Sequence, residues 1–276
     1  MFGFLFKKNF CDIWDNFFHF FIVNLIDLVL VLSFGFLFFF FSKTPLVAPN
    51  YRVFLPLLAI ALGICLLSVL VFAEGKNAAD VANFGTARFS KFAGNILPSL
   101  KIGLQFGLFL SLVSAVSFIS IPFYFHMWIP SDGSQGSVLG LVLLSIIFWF
   151  VLITVLALQW FIPIRNLMGN NFVKCLKKSY ILFFDNTWLT IKMGLVALLN
   201  IAISIFSIGM VCSFNGMMLC NTNALRLLLY KYDWYEVNPG MSKAERKDIP
   251  WDELLKKDKK TLGPRKFKSF FFPWKE

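Results

Sequence analysis

Residues 183–195 read FFDNTWLTIKMGL, and 91 positions earlier residues 92–104 read FAGNILPSLKIGL. The two stretches share Phe, Asn, a hydroxyl residue, Lys and Gly-Leu at fixed offsets. Asn95, Ser99, Lys101 and Gly103 are thus answered by Asn186, Thr190, Lys192 and Gly194. Both copies stand at the edge of a long apolar run. How this frame is read decides how often the chain passes through lipid, and in what unit.

Outward from the frame, apolar runs cover 17–41, 53–73, 101–125 and 138–162, with a fifth stretch, 189–230, about twice as long. A helix needs roughly 20 apolar residues to cross about 30 Å of hydrocarbon. The whole chain is 58% apolar and only 15% charged, with a mean hydropathy of +0.72; a soluble domain has about 45–50% apolar and about 25% charged residues. The double-length stretch reads as two helices turning at Ser207-Ile208-Gly209. The expectation is an all-α, polytopic membrane protein of about six transmembrane helices. Short alternating segments of the kind a barrel needs do not occur. The first run is too long for a signal-peptide core and has phenylalanines where small cleavage-site residues belong, so it is expected to remain as the first span.

Net charge is +11, and its placement carries the topology. With the N-terminus inside and six spans, 24 of the 26 basic residues fall on the inner side, including all twelve of 231–276, and only Lys43 and Arg52 fall outside. Lys and Arg concentrate in cytoplasmic loops because their translocation is disfavoured. Five spans would put the basic tail outside. The basic residues flank spans instead of forming one soluble patch, so they read as topology signals and contacts to an anionic inner leaflet, not as a nucleic-acid surface.

Upstream of the frame, residues 89–96 and 172–183 place aromatic and aliphatic side chains at helical spacing, with lysines facing away. The N-terminus repeats the pattern, with Phe6, Phe10, Trp14 and Phe17 set against Lys8, Asn9, Asp12 and Asn16. Each reads as a short helix lying in the inner headgroup layer, which must break before the chain dives. Asn16, Asn95 and Asn186 are the type of residue that caps the N–H groups freed by such a break. Lys101 and Lys192 are placed to snorkel back to phosphate, and Gly103 and Gly194 to admit a close neighbour. The reading is three hairpin units, about 1–75, 76–165 and 166–230, each preceded by an interfacial helix, then a basic cytoplasmic tail, 231–276. Convergent demands at every inner-leaflet entry are the alternative source of the repeat.

Within the spans, Gly103, Gly107, Ser111 and Ala115 form one small-residue ladder, and Gly216, Cys220 and Ala224 another, suited to close helix packing in this chain or between copies. Asp27 is the one carboxylate expected inside a span. With Asn24, Gln105, Gln159 and Asn200 it forms a candidate intramembrane polar site, since buried ionisable groups in membranes mark ion or solute paths. The competing reading is a structural carboxylate paired with Lys101 or Lys192. Five cysteines without a CxxC pair read as free thiols, and two isolated histidines, His19 and His126, give a metal site little footing. In the tail, Ser242 to Glu245 resembles a capping box. Asp252/Lys256 and Glu253/Lys257 are spaced to pair at i,i+4. The basic, aromatic end 264–276 suits either a peripheral lipid anchor or docking to a protein partner. No phosphate loop, nucleophile elbow or HExxH motif occurs, and no cofactor is expected.

The N-terminal WDNFFHFFIVNLIDLVLVL, the segment FVKCLKKSYILFFDNTWLTIKMGL and the closing GMMLCNTNALRLLLYKYDW together resemble the YesL-like family of small multi-pass bacterial proteins. The resemblance covers about residues 10–232 and implies a plasma-membrane protein linked to carbohydrate uptake, with no activity to carry over. Three functions are expected to compete. The first is a non-enzymatic accessory, scaffold or regulatory protein. The second is a solute or ion carrier using Asp27. The third is a permease subunit of an ATP-driven importer, suggested by Gly85 and Pro98 in FGTARFSKFAGNILP, although Ala79-Asp80-Val81 stands where such permeases carry Glu-Ala-Ala.

Overall fold

The apolar runs fold as helices, and the amphipathic segments between them do too. In chain order these are α1 (Phe2–Asp15), α2 (Phe17–Lys43), α3 (Phe54–Ala82), α4 (Phe89–Trp128), α5 (Val138–Leu158), α6 (Phe161–Met168), α7 (Phe172–Asp185), α8 (Thr187–Phe206), α9 (Phe214–Val237), α10 (Trp251–Leu254) and α11 (Lys256–Leu262). The structure, a computed structural model, describes residues 1–44, 51–131, 135–211, 213–240, 242 and 245–265, and among these there is no strand. Among the described residues, five helices are long and apolar enough to cross a membrane: α2, α3, α4, the near-continuous α5–α6, and α8. The chain is a helical membrane protein.

The expected sixth helix is present but of another kind. The stretch 189–230 divides where foreseen, with Ile208 and Gly209 both at positive φ (52° and 74°) and the Gly209 N–H reaching back to the Ser204 carbonyl at 2.7 Å. Its second half, α9, is not among the five apolar helices. Half of its 24 residues are buried, including Asn215, Asn221, Thr222 and Asn223. The α8–α9 turn lies beside the first half of α2. Asn24 Nδ2 donates to the Met210 carbonyl at 3.1 Å, and a Cβ on Gly209 would touch Leu28. Asn24 is seven residues into α2 and nineteen short of its end, so the turn stops well below the far tip of α2.

The helix breaks occur in two of the three foreseen places. α1 and α7 are both 14 residues long and both end in Asp-Asn, after which a new helix starts at once. The asparagines, however, do not cap the incoming helices; no side-chain cap bond forms there. They serve the outgoing ones: Asn16 Nδ2 donates to the Asp12 carbonyl at 2.9 Å, and Asn186 Nδ2 donates to Asp185 and to Tyr232 Oη. At Asn95 there is no break. α4 runs unbroken from Phe89 to Trp128 with Pro98 inside it, and Asn95 Oδ1 is taken by Lys76 Nζ at 2.9 Å.

The repeated frame therefore marks a packing face. Asn95, Ser99, Gly103 and Gly107 follow at i, i+4, i+8 and i+12 on one side of α4, and all four are buried. A Cβ on Gly103 or Gly107 would come within 2.6 Å of Val69 Cα or 2.5 Å of Cys65 Cα, so α3 and α4 meet backbone to backbone. On α8, Thr190 accepts from Trp160 Nε1 at 3.0 Å through its hydroxyl and from Gln159 Nε2 at 2.9 Å through its carbonyl, and Gly194 lies against Leu156. Gly216 is buried in α9.

Burial is concentrated toward one half of the bundle, with α3 the exception, since Pro56, Ala59 and Gly63 are buried near its start at the opposite end. Beyond Asp27 no residue of α2 is buried, beyond Gly107 none of α4, and beyond Met193 none of α8; α5 buries only Gly140 before Thr154. The core sits where Phe72, Phe106 and Phe161 stack, with Phe106 and Phe161 centroids 4.6 Å apart. The tail closes over this end: Leu255, Asp258 and Leu262 are buried, and Lys7 Nζ donates to the Gly263 carbonyl at 3.2 Å. Ser242 and Glu245 form the reciprocal capping bonds. The expected i,i+4 pairs give way to Asp252–Lys259 at 2.6 Å, because the chain breaks at Leu255 and loses the helical register. Residues 266–276 of the aromatic end lie outside the described residues.

Candidate functional site

α9 carries Asn215, Asn223, Arg226 and Tyr230 along one stripe, at separations of eight, three and four residues, which keeps them on one helix face. Each meets polar partners from other elements, so α9 acts as a spine for the polar interior.

At its N-terminal end, Asn215 Nδ2 donates to Asn24 Oδ1 at 2.9 Å and to Asp27 Oδ2 at 2.8 Å. Asp27 and Asn215 are 1% and 0% exposed. Of the sequence-derived set, Asn24 and Asp27 thus come together. Gln159 joins Thr190 instead, Gln105 is exposed, and Asn200 is half-buried on α8.

One step inward, His19 Nε2 lies 2.9 Å from Glu74 Oε1, and Asn77 Nδ2 donates to Glu74 Oε2 at 2.9 Å. Asn77 also holds the α3–α4 turn through the Arg88 N–H and carbonyl, and Asn16 Oδ1 accepts from the Ala87 N–H. Glu74 is fully buried, so Asp27 is not the one carboxylate inside the bundle. The sequence reading ended the second run at residue 73, whereas α3 continues to Ala82. The signal available was the small-residue register Ala73, Gly75, Ala78, Ala79 and Ala82 running past Glu74.

Further along, Asn223 Nδ2 donates to Asn9 Oδ1 at 2.6 Å and to Asp12 Oδ2 at 2.8 Å. Lys8 Nζ binds both Asp12 oxygens, at 2.9 and 2.8 Å, and sits over the Phe84 ring. Burial pushes the Asp12 carboxyl up and the Lys8 ammonium down from their ordinary values, and each draws the other part of the way back. The polar face of α1 was expected to look out to headgroups. It looks into the protein, while Phe6 and Trp14 stay exposed. Finally, Arg226 grips the tail, with Nη1 and Nη2 on the two Asp258 oxygens at 2.6 and 3.1 Å and Tyr230 alongside.

The frame lysines part company. Lys101 is exposed, and Lys192 stands over Phe2 of α1 and over Trp188, 5.1 Å from each ring. Beside α9, a cavity of about 820 Å³ opens between α5 and α8; Ile153, Leu156, Leu195, Leu198 and Met217 line it, with Asn221 among its few polar groups. Among the described residues, no cluster of His, Cys, Asp and Glu could hold a metal, and Cys11, Cys65 and Cys175 are free thiols. Comparison with protein-family models, with curated proteins and with solved structures finds no match.

Proposed function

We propose that the chain is a non-enzymatic accessory or regulatory scaffold of a bacterial plasma membrane, with both ends in the cytosol, in which α9 joins an intramembrane polar site to the folded-back tail. The observation that carries this reading is the Arg226–Asp258 grip: the tail is fastened to the same helix whose other end meets Asp27. Eleven residues separate Asn215 from Arg226, about 16 Å of helix. The bacterial setting and the link to carbohydrate uptake follow from the resemblance to the YesL-like family alone.

In this reading α2, α3, α4 and α5–α6 cross the bilayer, and α8–α9 enters from the cytosolic side, turns beside Asn24 and leaves again. Irregular backbone at that depth is tolerated because it is held by protein groups. Sidedness is the same as with six crossings, so the basic-residue argument is unchanged. Ile208→Cys tests the layout: a re-entrant tip stays unlabelled by an impermeant reagent outside intact cells, whereas two full crossings expose it.

The role itself is tested with a photo-crosslinker at Lys257 on the exposed side of the tail, in native membranes. A discrete protein adduct that disappears in Arg226→Ala supports a scaffold working through the clamped tail. Solute flux in liposomes that requires Asp27 would instead support a carrier. The permease reading is weakened by residues 83–88, a short turn bound to Asn16 and Asn77 instead of a projecting coupling helix.

A further inference from the structure

We infer that Asp27 and Asn215 together bind one small monovalent cation, a proton or a sodium ion, and that this cation latches the α8–α9 tip to α2. Asn215 Nδ2 donates to Asp27 Oδ2 at 2.8 Å, which leaves Asp27 Oδ1 and Asn215 Oδ1 both buried without a partner. Both are acceptors when the carboxyl is ionised, and an unfilled buried acceptor is costly. One cation shared between them fills both and cancels the carboxylate charge.

The surroundings fit such an occupant. Asn24 ties the pair to the turn, since its Oδ1 accepts from Asn215 and its Nδ2 donates to the Met210 carbonyl, and so it orients the pair. The Met210 carbonyl belongs to the unwound turn at the end of α8, and unwound backbone at helix ends is where membrane carriers hold Na⁺ or H⁺. Among the described residues, no side-chain cation answers Asp27. The nearest charged or titratable groups on its own helix and on α3 are His19 and Glu74, which face each other at 2.9 Å. Residues 54–73 of α3, the turn 207–211 and residues 214–225 of α9 carry no Lys, Arg, Asp, Glu or His. Their described thiols are Cys65 and Cys220, the latter accepting from Asn9. With a proton, the Asp27 hydroxyl donates to the Asn215 carbonyl oxygen while Asn215 Nδ2 donates back, an acid–amide pair closed by two hydrogen bonds. With sodium, the two oxygens are ligands.

This site goes beyond the scaffold role, and partner capture and cation binding are read by separate experiments, so either can fail alone. The full chain in nanodiscs is unfolded thermally in two series: between about pH 5 and pH 9 in sodium-free choline buffer, and across sodium concentrations at fixed pH and ionic strength. A bound cation raises Tm to a plateau, by about 2–4 °C for a chain of this size. Asp27→Asn keeps the size of the side chain and removes that increment. An increment seen only on acidification assigns a proton; one that follows sodium at fixed pH assigns sodium. Wild-type curves parallel to those of Asp27→Asn in both series overturn the inference. Where Asp27→Asn does not fold, infrared difference spectra of the native protein, assigned with Asp27→Glu, take its place. A carboxyl band that responds to pH or sodium supports the site, and an inert one overturns it.

Discussion

Lys8 is 1% exposed, yet it is a lysine near the start of the chain, where sequence reasoning puts such a residue in water. It is kept inside by Asp12, the Val81 carbonyl and the Phe84 ring. Removing one partner of a buried ion pair costs about 3–5 kcal/mol, because the other is left uncompensated. Lys8→Met should therefore destabilise the protein by that order in a thermal or denaturant measurement, and more at pH 8 than at pH 5. Burial already holds the Asp12 carboxyl above its ordinary value with Lys8 opposing, so without Lys8 it is held higher still. A carboxyl raised on folding contributes stability at acid pH and loses it as pH climbs through the folded value. Equal losses at both pH values would contradict this account. Asp27 and Asn24 were legible in the sequence because they interrupt a run of Phe and Leu. Lys8 and Glu74 were not, since Lys8 is covered by the end of α3 and the turn after it and Glu74 meets His19 of α2, approaches no local pattern encodes.

At the scale of the element, the twice-repeated frame was legible as a recurring demand, but the demand was misassigned. Capping and packing both favour Asn and Gly. The four-residue spacing of Asn95, Ser99, Gly103 and Gly107 was the feature that separates them, because caps act once and faces recur each turn. Gly107→Ala is expected to cost about 1–3 kcal/mol through overpacking against Cys65. Gly94→Ala, one position from the frame and open to 4 Å, should be neutral or slightly stabilising by helix propensity. Equal effects of the two in a denaturation series would remove the packing argument. At the α8–α9 turn, Ile208 holds φ at 52°, a conformation that strains a β-branched residue by about 1–3 kcal/mol. Ile208→Gly should raise Tm; a fall would show that the Ile208 side chain is worth more than the strain.

For the whole molecule, charge and apolar length made the membrane class legible, and the proposed even number of passages holds without α8 or α9 reaching the far side. What composition could not supply was depth, because a hairpin of given length can run upright or aslant and only its contacts decide. Arg226→Ala should release the described tail: hydrogen exchange across 251–262 rises toward that of an unfolded segment, while α3 and α4 remain protected. Unchanged protection in the tail would mean that Leu255 and Leu262 hold it without the grip. Gly240→Cys, in an otherwise cysteine-free chain, should react with an impermeant reagent only after cells are opened. The concentration of buried residues toward one half of α2, α4 and α8 has a mechanical outcome. Helices packed tightly at the base and more sparsely toward their tips are compliant there, so a thicker or thinner bilayer, at fractions of a kcal/mol per Å of mismatch, is met by splaying or gathering the tips. Changes in lipid thickness would then alter the girth of the protein in one leaflet and leave the base undisturbed.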